Sequence, residues 1–269
     1  MLEKPLISIV TVSYNAVATI EQTILSVINQ TYSNIEYIII DGGSTDGTLD
    51  VIKKYADKIA YWVSEPDKGI YDAMNKGIVV ATGEWINFMN SGDLFYDNNV
   101  VDNILSACLD RKSDVIYGNR ISSFSIACFI QYPQSLCRFS TEFPIFHQSC
   151  FIKMSIMKKM KYDLRYKICA DYDFFYKLWK ENGIYLYINM IISICDCEFG
   201  ISSLAKNEIF RVKEGEIIRN GKLNMFSFLR LIKVGVVSCL RLLLIRIFPQ
   251  FYNRKVLKKW MKNRYALKI

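Results

Sequence analysis

Short apolar, β-branched runs alternate with segments of helical period over the first 120 residues. This alternation limits the fold more than any other feature of the chain. Residues 6–12, 35–40, 60–63, 85–89 and 115–117 are the apolar runs. Between them Ile20, Ile24, Val27 and Ile28 recur at helical spacing, and 49–55, 70–81 and 100–109 read as helices. Runs with no polar face predict strands buried on both sides, hence a parallel sheet sandwiched by helices. Ligands of such sheets lie beyond the carboxyl ends of the strands. Polar residues gather there: Tyr14 and Asn15 after the first strand, Asp41 after the second, Asp93 after the fourth. The pattern predicts one crevice at these ends.

After residue 120 the alternation weakens. Pro133, Pro144 and many serines and aromatics predict loops and antiparallel strands. A helix returns at 171–182, with Phe174, Phe175, Leu178 and Trp179 on its apolar side. With 269 residues, 51% apolar and 22% charged, the chain can bury a large core, which excludes disorder, collagen and coiled coil. The eight cysteines are scattered without a CxxC pair and His147 is the sole histidine, so no zinc site is expected. The cysteines read as reduced core residues of a cytosolic protein. Residues 1–5 carry no signal-peptide pattern, and the longest charge-free run, 121–137, is too polar to span a membrane.

Charge is divided unevenly. Residues 206–269 hold 16 Lys/Arg against 3 Asp/Glu, leaving a mildly acidic body. Placed at helical spacing, 223–248 has a broad apolar face and a narrow cationic one with Lys222, Arg230, Lys233 and Arg241. Lys255, Lys258, Lys259, Lys262, Arg264 and Lys268 continue the charge around Trp260. This pattern suits an interfacial helix on an anionic leaflet. It also fits a helix packed on the domain or on a partner. With an acidic body and no recognition module, nucleic acid is not an expected partner.

Four motifs carry a resemblance. They are 9–15 (IVTVSYN) with 38–48 (IIIDGGSTDGT), 68–77 (KGIYDAMNKG), 90–93 (NSGD) and 170–173 (ADYD). In this order they resemble the inverting family 2 glycosyltransferases, in particular a bacterial subgroup that builds O-antigen, capsule and exopolysaccharide. The resemblance covers about residues 5–200. It implies a GT-A fold: a Rossmann-like α/β architecture with a mostly parallel central sheet flanked by helices. The basic amphipathic helices would extend this fold at its C-terminal end. The expected division is a catalytic domain at 1–205 and a membrane-surface tail at 206–269.

The resemblance also implies a nucleotide-diphosphate sugar donor, most often a UDP-sugar. Val12, Ser13, Tyr14, Asn15 and Asp41 would meet the nucleotide, Tyr14 packing on the base and Asp41 accepting from a uracil N–H. Asp46 either joins them or caps a helix. Lys68, Asp72 and Asn75 would border the donor, though Asp72 and Lys76 also have the spacing of a surface ion pair. His147 would touch donor phosphate or acceptor, or serve as a hydrogen-bonded structural residue. Asp93 would hold Mn²⁺ or Mg²⁺ against the leaving diphosphate. Asn90 and Gly92 stand where the family often has acids, which puts strict metal dependence in question. Asp171 would be the general base that deprotonates the acceptor hydroxyl.

The expected activity is transfer of a hexose or N-acetylhexosamine, with inversion, to a lipid-diphosphate-linked glycan precursor. The expected location is peripheral, on the inner face of the cytoplasmic membrane. The alternative is a non-catalytic nucleotide-sugar-binding or assembly subunit, suggested by the missing acids at 90 and 92.

Overall fold

The computed structural model describes residues 4–107, 112–124, 127–197 and 207–247. Strands β1 (Ile7–Ser13), β2 (Ile35–Asp41), β3 (Tyr61–Ser64) and β4 (Trp85–Phe88) alternate with helices α1 (Ile20–Ile28), α2 (Thr48–Lys54) and α3 (Ile70–Val80). These four strands pair in parallel in the order β3-β2-β1-β4. A short β5 (Leu94–Phe95) and α4 (Val100–Ala107) follow. Beyond them the sheet becomes mixed, through β6 (Val115–Phe124), β7 (Ala127–Gln131), β8 (Cys150–Lys153) and β9 (Tyr185–Asp196). β8 runs antiparallel to both β4 and β6, whereas β9 is parallel to β6. Between β8 and β9 lie α5 (Met154–Met160) and α6 (Ala170–Lys180). Two further helices close the described chain, α7 (Glu208–Asn220) and α8 (Met225–Ile247).

Both sheet faces are buried, and the period of two divides them. Val10, Val12, Ile38, Ile40, Ile86 and Phe88 face α3, α5 and α6. Ile7, Ile9, Tyr37, Ile39 and Trp85 face α1, α2 and α4. The expected apolar helix face at Phe174, Phe175 and Leu178 is core, and Trp179 packs against Phe139. The cysteine expectation divides: Cys150, Cys169 and Cys195 are buried, but Cys128 and Cys137 are exposed. Cys128 lies on β7, which pairs only with β6, and an edge strand has one side open to solvent.

The boundary expected at 205 falls within 198–206, outside the described residues. α7 nevertheless packs against α6, and α8 packs against α7. Among the described residues no helix is long and apolar enough to cross a membrane.

α3 lies so close to the sheet that a Cβ on Gly77 would come within 2.5 Å of Val10 Cγ1. Val10 is β-branched and fully buried, so it has little room to yield. Gly77→Ala should therefore cost about 1–3 kcal/mol of overpacking, which exceeds or offsets the ~1 kcal/mol gained by removing a helical glycine. Thermal unfolding should show a lower Tm; a clear rise would contradict the close approach of α3 to β1.

Candidate active site

Register brings the crevice together. Ser13, Asp41 and Ser64 are Cα partners across β1, β2 and β3, so they form one row at the carboxyl edge. Asp41 is fully buried and accepts five hydrogen bonds. Ser13 Oγ (2.8 Å) and Ser44 Oγ (2.6 Å) reach Oδ1. Ser44 N (2.8 Å), Gly43 N (3.1 Å) and Ser64 Oγ (2.7 Å) reach Oδ2. Burial alone would raise its pKa, but these donors together hold it below the ordinary value. In this arrangement Asp41 organises the edge, its two oxygens engaged by Ser13, Gly43, Ser44 and Ser64.

The neighbours of Asp41 divide between scaffold and surface. Val12 is buried and Ser13 is bonded to Asp41. Asn15 adopts a left-handed conformation at φ 48°, donates its N–H to Ser44 Oγ and accepts from Thr45 N. Asp46 accepts from Val17 N and from Thr48, which is its structural alternative. Tyr14 projects without a hydrogen bond of its ring hydroxyl among the described residues, with 66% of its surface exposed.

Asp67, which the motif reading passed over, faces Tyr14. A Cβ on Gly42 would lie 2.5 Å from Asp67 Oδ2 and 3.3 Å from the Tyr14 ring, so glycine is what lets the carboxylate and the ring approach. Asp67 Oδ1 accepts from Gly69 N, which orients the group. The available signal was the Asp67-Lys68-Gly69 turn itself, but only the tertiary structure aims it at Gly42. Lys68 is exposed beside it, and its ammonium forms no hydrogen bond or ion pair among the described residues.

Several residues expected at the donor also make hydrogen bonds within the fold. Asp72 accepts from Lys68 N at the start of α3. Lys76 pairs with Glu65 at 2.7 Å, so the Asp72–Lys76 pair does not form. Asn75 clamps the backbone of Tyr162, donating to its carbonyl and accepting its N–H, both at 2.9 Å. His147 is buried, hydrogen-bonded through Nε2 to Tyr162 Oη at 2.7 Å and stacked on Phe88. Burial lowers its pKa to about 4, so the ring is neutral. Asn75 and His147 thus both engage Tyr162, one through its backbone and the other through its hydroxyl.

The turn after β4 is held by Gly92 N donating to Thr23 Oγ1 and by Thr23 Oγ1 donating to Asp93 O. The Asp93 carboxyl points inward. Burial pushes its pKa up to about 7, against hydrogen bonds from Gln148 and Cys195 and the nearby Arg120 charge. Asn90 Oδ1 is buried there without a hydrogen-bond partner. A hard cation accepts such an amide oxygen. Among the described residues no three His, Cys, Asp or Glu side chains gather as a metal cluster. The residues therefore fit a cation that takes one or two oxygens from the protein, at Asn90 and Asp93, and the remainder from a bound diphosphate.

Asp171 stands at the head of α6. Its Oδ1 accepts from Tyr71 Oη and from Tyr172 N, both at 2.9 Å. Oδ2 has no hydrogen-bond partner among the described residues. Tyr71 lies in the first turn of α3, which follows β3, so this contact brings Asp171 to the same edge as Tyr14 and Asp67. Burial raises its pKa to about 6, only partly offset by the hydrogen bonds from Tyr71 and the backbone. A carboxylate near 6 is ionised at neutral pH and still basic enough to take a proton.

The family model described as "Glycosyl transferase family 2" matches residues 8–175. A "PGL/p-HBAD biosynthesis glycosyltransferase" of Mycobacterium bovis is 28% identical over 205 residues, covering 73% of this chain and 78% of the relative. An uncharacterized glycosyltransferase of Mycobacterium tuberculosis is 35% identical over 184 residues, covering 65% and 69%. The structure resembles the S. aureus TarS fragment in complex with UDP, with a TM-score of 0.60 and 17% identity over 81% of this chain and 71% of that one. It also resembles the mannosyltransferase PcManGT of Pyrobaculum calidifontis in complex with GDP-Man and Mn²⁺, with a TM-score of 0.63 and 17% identity over 88% and 70%. At these identities the structural likeness establishes the fold, which is GT-A.

The hydrogen bond from Tyr71 lowers the pKa of Asp171. If Asp171 must be ionised to act, turnover should fall below pH about 6 with unit slope. Tyr71→Phe should then move that acid limb to higher pH and reduce kcat roughly ten-fold, the cost of a lost hydrogen bond to a charged group. A pH–rate profile of nucleoside diphosphate release checks both; an unmoved limb would dissociate Tyr71 from the base.

Proposed function

The chain belongs to glycosyl transferase family 2, and from that premise we propose that it transfers one sugar from a nucleotide-diphosphate sugar, most readily a UDP-sugar, to a hydroxyl of a lipid-diphosphate-linked glycan precursor of a bacterial surface polysaccharide. The single observation that carries the reading is Asp171. It has one oxygen held by Tyr71 and Tyr172, one oxygen free, and a pKa pushed to about 6. In this mechanism Oδ2 takes the proton of the acceptor hydroxyl as its oxygen attacks the anomeric carbon from the face opposite the leaving diphosphate. One displacement inverts the anomer, and the nucleoside diphosphate departs.

Tyr14 offers an exposed ring for the base and Asp67 a carboxylate beside it, able to accept from a pyrimidine ring N–H. Lys68 is free to meet phosphate. Asn90 and Asp93 would hold Mn²⁺ or Mg²⁺, which supplies positive charge opposite the leaving diphosphate. The Mn²⁺ in the mannosyltransferase complex supports this choice.

Membrane recruitment belongs to the same reading. On α8, Met225, Phe228, Leu229, Ile232 and Val236 form an exposed apolar stripe at helical spacing, with Lys233 exposed alongside. Such a stripe flanked by cations suits the inner leaflet. The cations at 255–268 lie outside the described residues.

A second reading, a non-catalytic nucleotide-sugar-binding subunit, is favoured by one observation: the inward carboxyl of Asp93 beside an amide at 90. One experiment separates the two. The protein is incubated with UDP-, GDP- and dTDP-sugars and Mn²⁺, with and without a lipid-linked acceptor extract, and nucleoside diphosphate release is measured. Release from one donor, lost in Asp171→Asn while donor binding persists, is expected. Turnover unaffected by EDTA would remove the metal, and donor binding with no turnover in any mixture would favour the binding subunit.

Phe228→Asp with Ile232→Asp should abolish co-sedimentation with anionic vesicles while leaving the Tm within a few degrees. Undiminished co-sedimentation would refute the role of α8.

A further inference from the structure

The helix that carries the base has no cap of its own. α6 begins after Cys169, which makes no side-chain cap hydrogen bond. The donors there are satisfied from a distant part of the chain. Glu214, on α7 and only 7% exposed, accepts Lys167 N at 2.8 Å on Oε1. Its Oε2 accepts Ile168 N and Cys169 N, both at 2.9 Å. A carboxylate against a row of free N–H groups at a helix start is favoured by hydrogen bonding and by the helix dipole. Asp171 lies two residues beyond the last of these amides. Tyr71 shares its one hydroxyl proton between Asp171 Oδ1 and the Ile168 carbonyl, so the same turn meets the clamp on one side and the partner of Asp171 on the other.

The clamp is itself fixed. Cys169 Sγ contacts the Arg211 carbonyl of α7 at 3.6 Å. Arg219, also on α7, reaches Tyr172 Oη at 3.5 Å and lies over that ring. Glu216 pairs with Arg219 at 3.0 Å and with Arg230 of α8 at 2.8 Å. The family match ends at residue 175, well before this helix.

We propose that Glu214 is a positioning residue for the base: from α7 it fixes the 167–169 turn and thereby sets Asp171 in its reactive place. The inference rests on the reading of Asp171 as general base. Among the described residues, Asp171 is coupled electrostatically to Tyr71 from α3, Cys150 from β8, Tyr162 from the loop after α5, Cys169 from the turn before α6, and Glu214 from α7. Glu214 is the only carboxylate among them, and its charge raises the pKa of Asp171. Glutamine at 214 removes that charge and turns one acceptor into a donor. Aspartate keeps the charge but shortens the reach.

The test measures nucleoside diphosphate release by the full-length protein against pH for wild type, Glu214→Gln, Glu214→Asp and Asp171→Asn. Amide hydrogen exchange at 167–169 is followed in parallel. Glu214→Gln should lower kcat roughly ten-fold with donor KM within two-fold, speed exchange at 167–169, and move the acid limb below about 6, opposite to Tyr71→Phe. Glu214→Asp should lower kcat with the limb in place. If Glu214→Gln does not fold, the aspartate variant alone decides through its kcat. Lower stability or faster exchange with kcat and pH profile unchanged, while Asp171→Asn is inactive, would overturn the proposal and leave Glu214 a plain cap. Normal turnover by Asp171→Asn would overturn the base and its positioning together.

Discussion

Burying both faces of parallel strands leaves polar chemistry one place to go. β1, β4 and the carboxyl half of β2 are buried throughout, so the residues there that can contact a ligand lie where those strands end. Asp41 makes that edge a fixed surface. It lies in register between Ser13 and Ser64 and joins three strand ends and the following loop through five hydrogen bonds. A buried charge is tolerated only when paired or saturated with donors. Here saturation is what gives Tyr14 and Asp67 their fixed relation across Gly42.

Three aspartates near this edge occupy three electrostatic environments. Donors hold Asp41 low, burial lifts Asp93 to about 7, and Asp171 stands at about 6 between burial and its hydrogen bonds. The differences come from how many donors each oxygen meets, since the side chains are chemically identical. Only Asp171 combines ionisation at neutral pH with a free oxygen. The three acids at the edge thus differ in how strongly burial and hydrogen bonding bias their ionisation.

The C-terminal helices belong to this arrangement as much as to any surface. α7 supplies the cap for the base helix, and the Glu216–Arg219–Arg230 pairs carry the connection on to α8. The helix that carries the exposed apolar stripe is thus joined by packing and ion pairs, through α7, to the helix that bears Asp171. A boundary drawn at the change in charge separates residues that the packing joins.

Much of the fold was legible in the chain. The apolar runs and their spacing predict β1 to β4 and α1 to α3 to within a residue or two, because two-sided burial leaves an uninterrupted apolar signature. The motifs locate Tyr14 and Asp93, which follow strands whose ends are visible in the pattern, and Asp171, which opens a helix whose start is visible. The partners of these residues are not visible there. Asn75 sits in a motif and His147 outside them, yet both turn to Tyr162, and Asp41 is engaged by serines from two strands and from the loop after β2. Asp67 gains its place through a missing side chain at Gly42, and Glu214 acts on amides more than forty residues away. Local periodicity records which face of an element is buried. Which side chains then share a hydrogen bond depends on how separate elements meet, and only the tertiary structure decides that.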